Sequence, residues 1–262
     1  CRTACQIQDQ ENSAIGCEEL KVSINTKSNA YTFLFAVIVC VVCSVMLSIF
    51  TEGLRKRQEI NAELEVKKNI LKAVVLSEPL APKMAPLEIF KVYESKIEEI
   101  VVDIEGNVVQ GKKPSELTEK DKGLFPLYLY KENDRILAYA FPIVGQGLWS
   151  TLYGYLALEA DALTVRGITF YKHGETPGLG GEIEKEWFQN NYKGKTIYSL
   201  QQHQLTPIVV VKGKAADQYR GEELKYHVDG ITAATLTGNG VTDLTKKWLN
   251  AYEPFFAAIR KI

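Results

Sequence analysis

The chain has 262 residues, and 31 Lys and Arg against 32 Asp and Glu leave a formal net charge of −1. That balance supplies no basic footprint for nucleic acid, and 46% hydrophobic with 24% charged residues excludes a disordered chain. A mean hydropathy of −0.10, with charges spread along most of the length, excludes a multi-span membrane protein.

Residues 1–27 form an unpatterned polar leader that holds Cys1, Cys5 and Cys17. The remaining cysteines, Cys40 and Cys43, lie in the apolar run that follows, and none occurs later. The main body therefore uses no thiol, disulfide or Cys-ligated metal. With only His173, His203 and His227 in the chain, a His-built zinc site would need nearly all of them.

Residues 28–51 carry no charge, and the centre reads YTFLFAVIVCVVCSVMLSIF from Tyr31 to Phe50. Twenty apolar residues make a helix of about 30 Å, the thickness of a bilayer hydrocarbon core. The run is too long for a signal-peptide core of about 7–15 residues, and no small-x-small cleavage site follows it. It reads as one transmembrane helix. Positive charges favour a cytoplasmic body only slightly: Lys21 and Lys27 precede the run, while Arg55, Lys56 and Arg57 follow it.

A juxtamembrane helix and linker occupy 52–89. Leu54, Ile60, Leu64, Leu71 and Val75 fit one helix face over 52–76, and Pro79, Pro82 and Pro86 end it. The main domain, 90–262, alternates strands and turns. Glu105-Gly106-Asn107 predicts a hairpin between Ile100–Ile104 and Val108–Val109. Further strands are expected at Ile136–Val144, Gly154–Leu158, Val165–Tyr171 and Pro207–Lys212, the last apolar on consecutive positions and so buried on both faces. Helices are expected at Glu182–Asn190 and Val241–Ile262, the second with Leu244, Trp248, Leu249 and Tyr252 on one face. The fold class is α+β, with antiparallel strands and segregated helices.

Two segments carry chemistry. His173-Gly174-Glu175-Thr176-Pro177-Gly178-Leu179-Gly180-Gly181 is an irregular loop directly after a strand, able to bring backbone N–H groups close to a ligand. It is also compatible with a long turn before a helix. It lacks the GxGxxG and P-loop fingerprints. Val228 to Gly240, VDGITAATLTGNG, packs small residues and hydroxyls between Asp229 and two glycines ahead of a helix. A hydroxyl-rich turn at a helix N-terminus suits either a phosphate or simple helix capping.

The segment DGITAATLTGNGV resembles the flavin attachment motif of the FMN-binding domain family, Asp-Gly-x-(Ser/Thr)-Gly-Ala-Thr-x-(Ser/Thr). The match falls at Asp229, Gly230, Thr232, Ala234, Thr235 and Thr237, with Ala233 in place of the usual glycine. FPIVGQGLWSTLYGYLALEAD (Phe141 to Asp161) and ITFYKHGETPGLGGEI (Ile168 to Ile183) narrow it to a likeness to the C subunits of sodium-translocating NADH:quinone oxidoreductases. The G subunits of the related ferredoxin:NAD oxidoreductase complex are the neighbouring alternative, and a flavin-free membrane-tethered binding module is an alternative of another class.

The resemblance implies a single-pass protein of a bacterial inner membrane whose FMN-binding domain lies on the periplasmic side. It implies one covalent FMN per chain, joined through its phosphate to Thr235 by a separate flavin transferase, with Thr237 the competing acceptor. Thr232 and Thr237 would donate hydrogen bonds to the phosphate, while Asp229, Ala234 and Leu236 belong to the same motif. It implies partners in a complex of six kinds of subunit that oxidises NADH, reduces ubiquinone and exports sodium, within which this subunit passes single electrons. A neutral isoalloxazine needs apolar cover and a few polar edge contacts. Trp149 and Leu179 are candidates for the first role, Glu175, Thr176 and Lys212 for edge or phosphate contacts, and Gly180 is a further cofactor-binding candidate in the same glycine loop.

Overall fold

The computed structural model describes residues 29–75, 85–118, 120–199 and 202–260. The cysteines of the leader and two linker prolines, Pro79 and Pro82, lie outside them. The chain divides into two compact units, Cys1–Gln58 and Glu59–Ile262.

The first unit contains the start of helix α1 (Asn29–Val74), the one described helix long and apolar enough to cross a membrane. Its apolar side chains face outward on every side: Phe33, Ile38, Val42, Met46 and Phe50 are all more than half exposed. The 46 residues span ~69 Å, more than twice a bilayer core. The sequence reading separates a span ending at 51 from a second helix starting at 52, whereas the two are continuous. The only breaker between them is Gly53, and a lone glycine costs about 1 kcal/mol, too little to stop a helix propagating from both sides.

In the second unit α1 ends and α2 (Pro86–Lys96) begins. Pro86 is thus not the end of a linker; it opens α2 at the position where a missing N–H is harmless. Five strands follow: β1 (Ile97–Asp103), β2 (Leu124–Glu132), β3 (Arg135–Gln146), β4 (Thr151–Glu159) and β5 (Val165–Lys172). They form an antiparallel sheet in the order β1-β2-β3-β4-β5. Next come α3 (Glu186–Asn190), β6 (Tyr198–Ser199), β7 (Gln204–Leu205), β8 (Val209–Val210), α4 (Ala215–Gln218), β9 (His227–Val228) and α5 (Thr235–Arg260).

β2 escapes the sequence reading because its apolar part, Leu124–Tyr130, contains Pro126, which argues against a central strand. The proline is tolerated because β2 there pairs only with β1, opposite Val101; β3 joins at Tyr128. Asn133 and Asp134, both at positive φ, make the two-residue turn into β3. The expected hairpin at 100–109 shrinks to a single bridge between Val102 and Val108, because the true partner of β1 is β2.

Both faces of the sheet are covered. Leu127, Leu129, Tyr139, Phe141, Ile143, Leu152, Leu156 and Leu158 point to one face, where α5 packs Val241, Leu244, Leu249, Tyr252 and Phe256 against them. Tyr128, Tyr130, Ala138, Ala140, Tyr155 and Ala157 point to the other, under Ile70, Leu71 and Val74 of α1 and Ile89 and Tyr93 of α2. The Trp248 indole donates to Val144 O (2.7 Å) and the Tyr252 hydroxyl to Pro126 O (2.6 Å), fixing α5 along the sheet.

Three further elements differ from expectation. Glu182–Asn190 is a short 3-10 turn (Gly180–Glu184) followed by α3. The apolar run Pro207–Lys212 keeps Ile208, Val210 and Val211 buried but is a strand only at Val209–Val210, paired in parallel with β9. α5 begins at Thr235, six residues before the expected Val241, which carries the whole hydroxyl-rich segment onto its first turns.

Phe141 is fully buried and stacks on Tyr252 at 4.4 Å between ring centroids. Phe141→Ala should destabilise the second unit by about 3–5 kcal/mol, the usual cost of emptying an aromatic site. A lowered urea midpoint, followed by near-UV circular dichroism of the detergent-solubilised chain, measures it.

Candidate functional site

Three segments distant in sequence are tied together by one side chain. Glu175, on the glycine loop after β5, is 4% exposed. Its Oε1 accepts from the backbone N–H groups of Trp149 (2.9 Å) and Ser150 (3.2 Å), in the β3–β4 connection. Its Oε2 accepts from Thr237 Oγ1 at 2.7 Å, in the first turn of α5. Gly174 N–H in turn donates to Ser150 Oγ (2.5 Å), a second clasp between loop and turn. Burial alone would push the Glu175 pKa up. The Thr237 hydroxyl and the N–H groups of Trp149, Ser150 and Leu148 outweigh that and hold it below the usual carboxylate value.

Close approach accounts for two of the glycines. A Cβ on Gly180 would lie 2.5 Å from Thr237 Oγ1 and 2.8 Å from Glu175 Oε2, inside the clasp itself. A Cβ on Gly240 would collide with Gln146 O, where α5 passes the end of β3. Glycine disfavours a helix by propensity, yet here it lets the N-terminal turns of α5 lie against the sheet.

Within the attachment motif the hydroxyls divide sharply. Thr237 is 1% exposed and committed to Glu175, whereas Thr232 and Thr235 are exposed. Ala234 precedes α5, and its carbonyl accepts Gly238 N–H. The N–H groups of Thr235, Leu236 and Thr237 open the helix and have no intrahelical partner. Alanine offers no capping oxygen, and no described side-chain hydrogen bond reaches them. Ala233, standing where the motif has glycine, keeps the left-handed turn at φ 59° despite its Cβ. The turn is retained and the strain is accepted.

Apolar side chains stand exposed on the same three segments: Leu148 (41%), Trp149 (71%), Leu179 (40%) and Leu236 (59%). Trp149 is therefore not core packing. Glu175 does not point outward to a phosphate or a ring edge; its carboxylate is spent inside the clasp. Thr176 is exposed, and its carbonyl accepts the N–H groups of Leu179 and Gly181. Asp229 braces the motif from behind by accepting Ala215 N–H at 2.7 Å. Lys212 is exposed on the segment beside Gly230 and makes no ion pair among the described residues. Leu148 and Ser150 were not singled out from sequence, although both sit in the GLWS stretch that carried part of the resemblance. No group of His, Cys, Asp and Glu among the described residues could hold a metal ion.

An exposed hydroxyl, three uncapped N–H groups and exposed apolar side chains thus lie on the three segments that the clasp joins. The model of the FMN-binding domain family matches residues 147–250, which contain all three segments. The chain is 32% identical over 263 residues to the C subunit of Na(+)-translocating NADH-quinone reductase from Yersinia pestis, covering 90% of this chain and 95% of that one. For the C subunit from Vibrio alginolyticus the identity is 36% over 244 residues, covering 84% and 90%. The crystal structure of the C subunit from Parabacteroides distasonis superposes with a TM-score of 0.66 at 28% identity, over 78% of this chain and 96% of that one. The chain belongs to the family of Na(+)-translocating NADH-quinone reductase C subunits.

This geometry has consequences for stability. Ala233→Gly should relieve the left-handed strain and stabilise the second unit by up to about 1 kcal/mol, read as a thermal midpoint raised by a few degrees. Glu175 has a depressed folded-state pKa, so its stabilisation is present above the unfolded value and is lost as pH falls through the folded one. Acid titration of unfolding should show a descending limb below pH ~4.3 that is shallower in Glu175→Gln.

Proposed function

We propose that the chain is the covalently flavinylated, electron-carrying C subunit of a sodium-pumping NADH:ubiquinone oxidoreductase, with one FMN joined to Thr235 as a phosphoester. The observation that carries the assignment is the division of the two competing hydroxyls. Thr235 presents its oxygen to solvent on the first turn of α5, and Thr237 buries its own against Glu175. A transferase must reach the oxygen it modifies. The Thr235 hydroxyl attacks the flavin-side phosphorus of a flavin dinucleotide donor, the diphosphate bond breaks, and the nucleoside monophosphate leaves with the bridging oxygen while the hydroxyl proton is given up; no such approach is open to Thr237.

The residues fit the group. The uncapped N–H groups of Thr235, Leu236 and Thr237 and the positive end of α5 favour the singly charged phosphodiester that links FMN to the threonine. Thr232, also exposed, is the hydroxyl able to add a hydrogen bond. Trp149, Leu179, Leu236 and Leu148 supply apolar cover for a flat aromatic ring. When bound, FMN supplies the capacity to accept and release electrons singly. The protein's part is to fix the cofactor: Glu175 holds the three segments in register, and the covalent bond prevents loss in a compartment where free FMN is scarce. Lys212 is an anion contact by charge alone; its position beside Gly230 is the support for that role.

The body after residue 51 is assigned to the outer, periplasmic face, in association with the other members of an assembly of six kinds of subunit. The family resemblance supports this against the small charge excess of Arg55, Lys56 and Arg57. Alkaline phosphatase fused after residue 262 should be active, and activity of a cytoplasm-only reporter at that point would reverse the orientation.

Mass spectrometry of the peptide 226–246, from cells that make a flavin transferase, tests the attachment. The added FMN should map to Thr235. Thr235→Ala should abolish it and Thr235→Ser should retain part, because the nucleophilic oxygen remains. Thr237→Ala should keep the modification while lowering stability by about 1–3 kcal/mol, the cost of leaving a buried carboxylate short of a donor. Loss of FMN from Thr237→Ala with retention in Thr235→Ala would defeat the assignment.

A further inference from the structure

Glu175 is the only carboxylate in the buried class among the described residues. No Lys, Arg or protonated His in those residues forms an ion pair with it; its partners are one hydroxyl and backbone N–H groups. If the clasp served only to join three segments, a neutral amide of the same shape could serve at lower cost. An unpaired buried charge carries a desolvation penalty that an amide avoids. Glutamine in place of Glu175 would keep one oxygen for the N–H groups of Trp149 and Ser150. Its amide would face Thr237 Oγ1, which can turn to accept. The negative charge therefore has an effect that the hydrogen bonds alone do not explain.

That charge is bonded to two of the segments that carry the exposed apolar side chains. Trp149, through its own N–H, and Thr237, two residues from Thr235, both bond to it. A fixed charge that is itself withdrawn from water acts on neighbouring charge more strongly than a fully solvated one. We propose that Glu175 sets the redox potential of the FMN carried at Thr235, acting through space and not by contact with the flavin. A fixed negative charge opposes added electron density, so it holds the potential lower than the same seat would without the charge. The Thr237 hydroxyl, by donating to Oε2, partly offsets this effect. The inference rests on the flavinylation reading above, and it makes Glu175 a tuning residue of the carrier.

The experiment is spectroelectrochemical titration of the purified, FMN-loaded full-length chain in detergent at neutral pH, with covalent loading quantified by peptide mass spectrometry. Glu175→Gln, which removes the charge and keeps the shape, should move the midpoint potential to more positive values. Thr237→Val keeps the charge and removes its neutral donor, so it should move the potential the opposite way or leave it in place. A clasp of purely structural importance would leave Glu175→Gln, which keeps the hydrogen-bonding shape, near the wild-type potential and would shift only Thr237→Val, which loses the bond. Equal positive shifts, or an unmoved potential in Glu175→Gln, overturn the proposal. Should Glu175→Gln fail to take up flavin, Glu175→Asp and Thr237→Val decide. Retention of the wild-type potential in the aspartate variant supports through-space tuning, and a positive shift in either variant overturns it. Absence of FMN from the wild-type peptide defeats the flavinylation reading itself, whereas FMN present with an unresponsive potential defeats this inference alone.

Discussion

A carboxylate taken out of water must be given donors, and meeting that demand organises the functional end of this protein. Glu175 collects them from the turn between β3 and β4 and from the first turn of α5. Neither segment is near it in sequence. Once those bonds form, the glycine loop, the GLWS turn and the attachment motif can adopt only one arrangement relative to each other. The glycines follow from it: Gly180 leaves room for the clasp, and Gly240 lets α5 approach closely enough to reach it. The apolar rim follows too, since Trp149 and Leu236 are turned outward by bonds their own segments make inward.

The clasp would not hold its place without the sheet. The antiparallel meander is buried on both faces, so every strand alternates between two cores where a one-sided sheet alternates between core and water. On one face α5 is locked by Phe141, Tyr252, Phe256 and the Trp248 bond to Val144. This fixes the height of its N-terminus, and hence the position of Thr235. On the other face the last turns of α1 supply Ile70, Leu71 and Val74 to the second core, so this stretch of the helix is part of the domain's own packing.

The division of labour between neighbouring threonines has the same origin. A helix advances about 100° per residue, so hydroxyls two positions apart face away from each other. Starting α5 at Thr235 turns Thr237 into the clasp and Thr235 out of it. Starting it at Val241 would have left both on a loop, with no reason to differ in exposure.

The sequence by itself determined the local and the compositional features. Twenty uncharged, mostly apolar residues make a helix long enough to cross a membrane, and alternating apolar strands with Gly-rich connections give an α+β body. A run as unusual as DGITAATLTGNGV carries the resemblance to the FMN-binding domain family. These features survive because each is carried by contiguous residues: length, periodicity or a continuous motif. Tertiary structure alone decided the rest. β2 was hidden by Pro126, the early start of α5 by Gly238 and Gly240, and the inward turn of Glu175 by its resemblance to any polar loop residue. In each case contacts between distant segments outweighed local propensity: a strand pairing, a close helix-to-sheet approach, and a buried charge with donors 25 and 62 residues away. No local pattern encodes such partners, because their value exists only once the chain has brought them together.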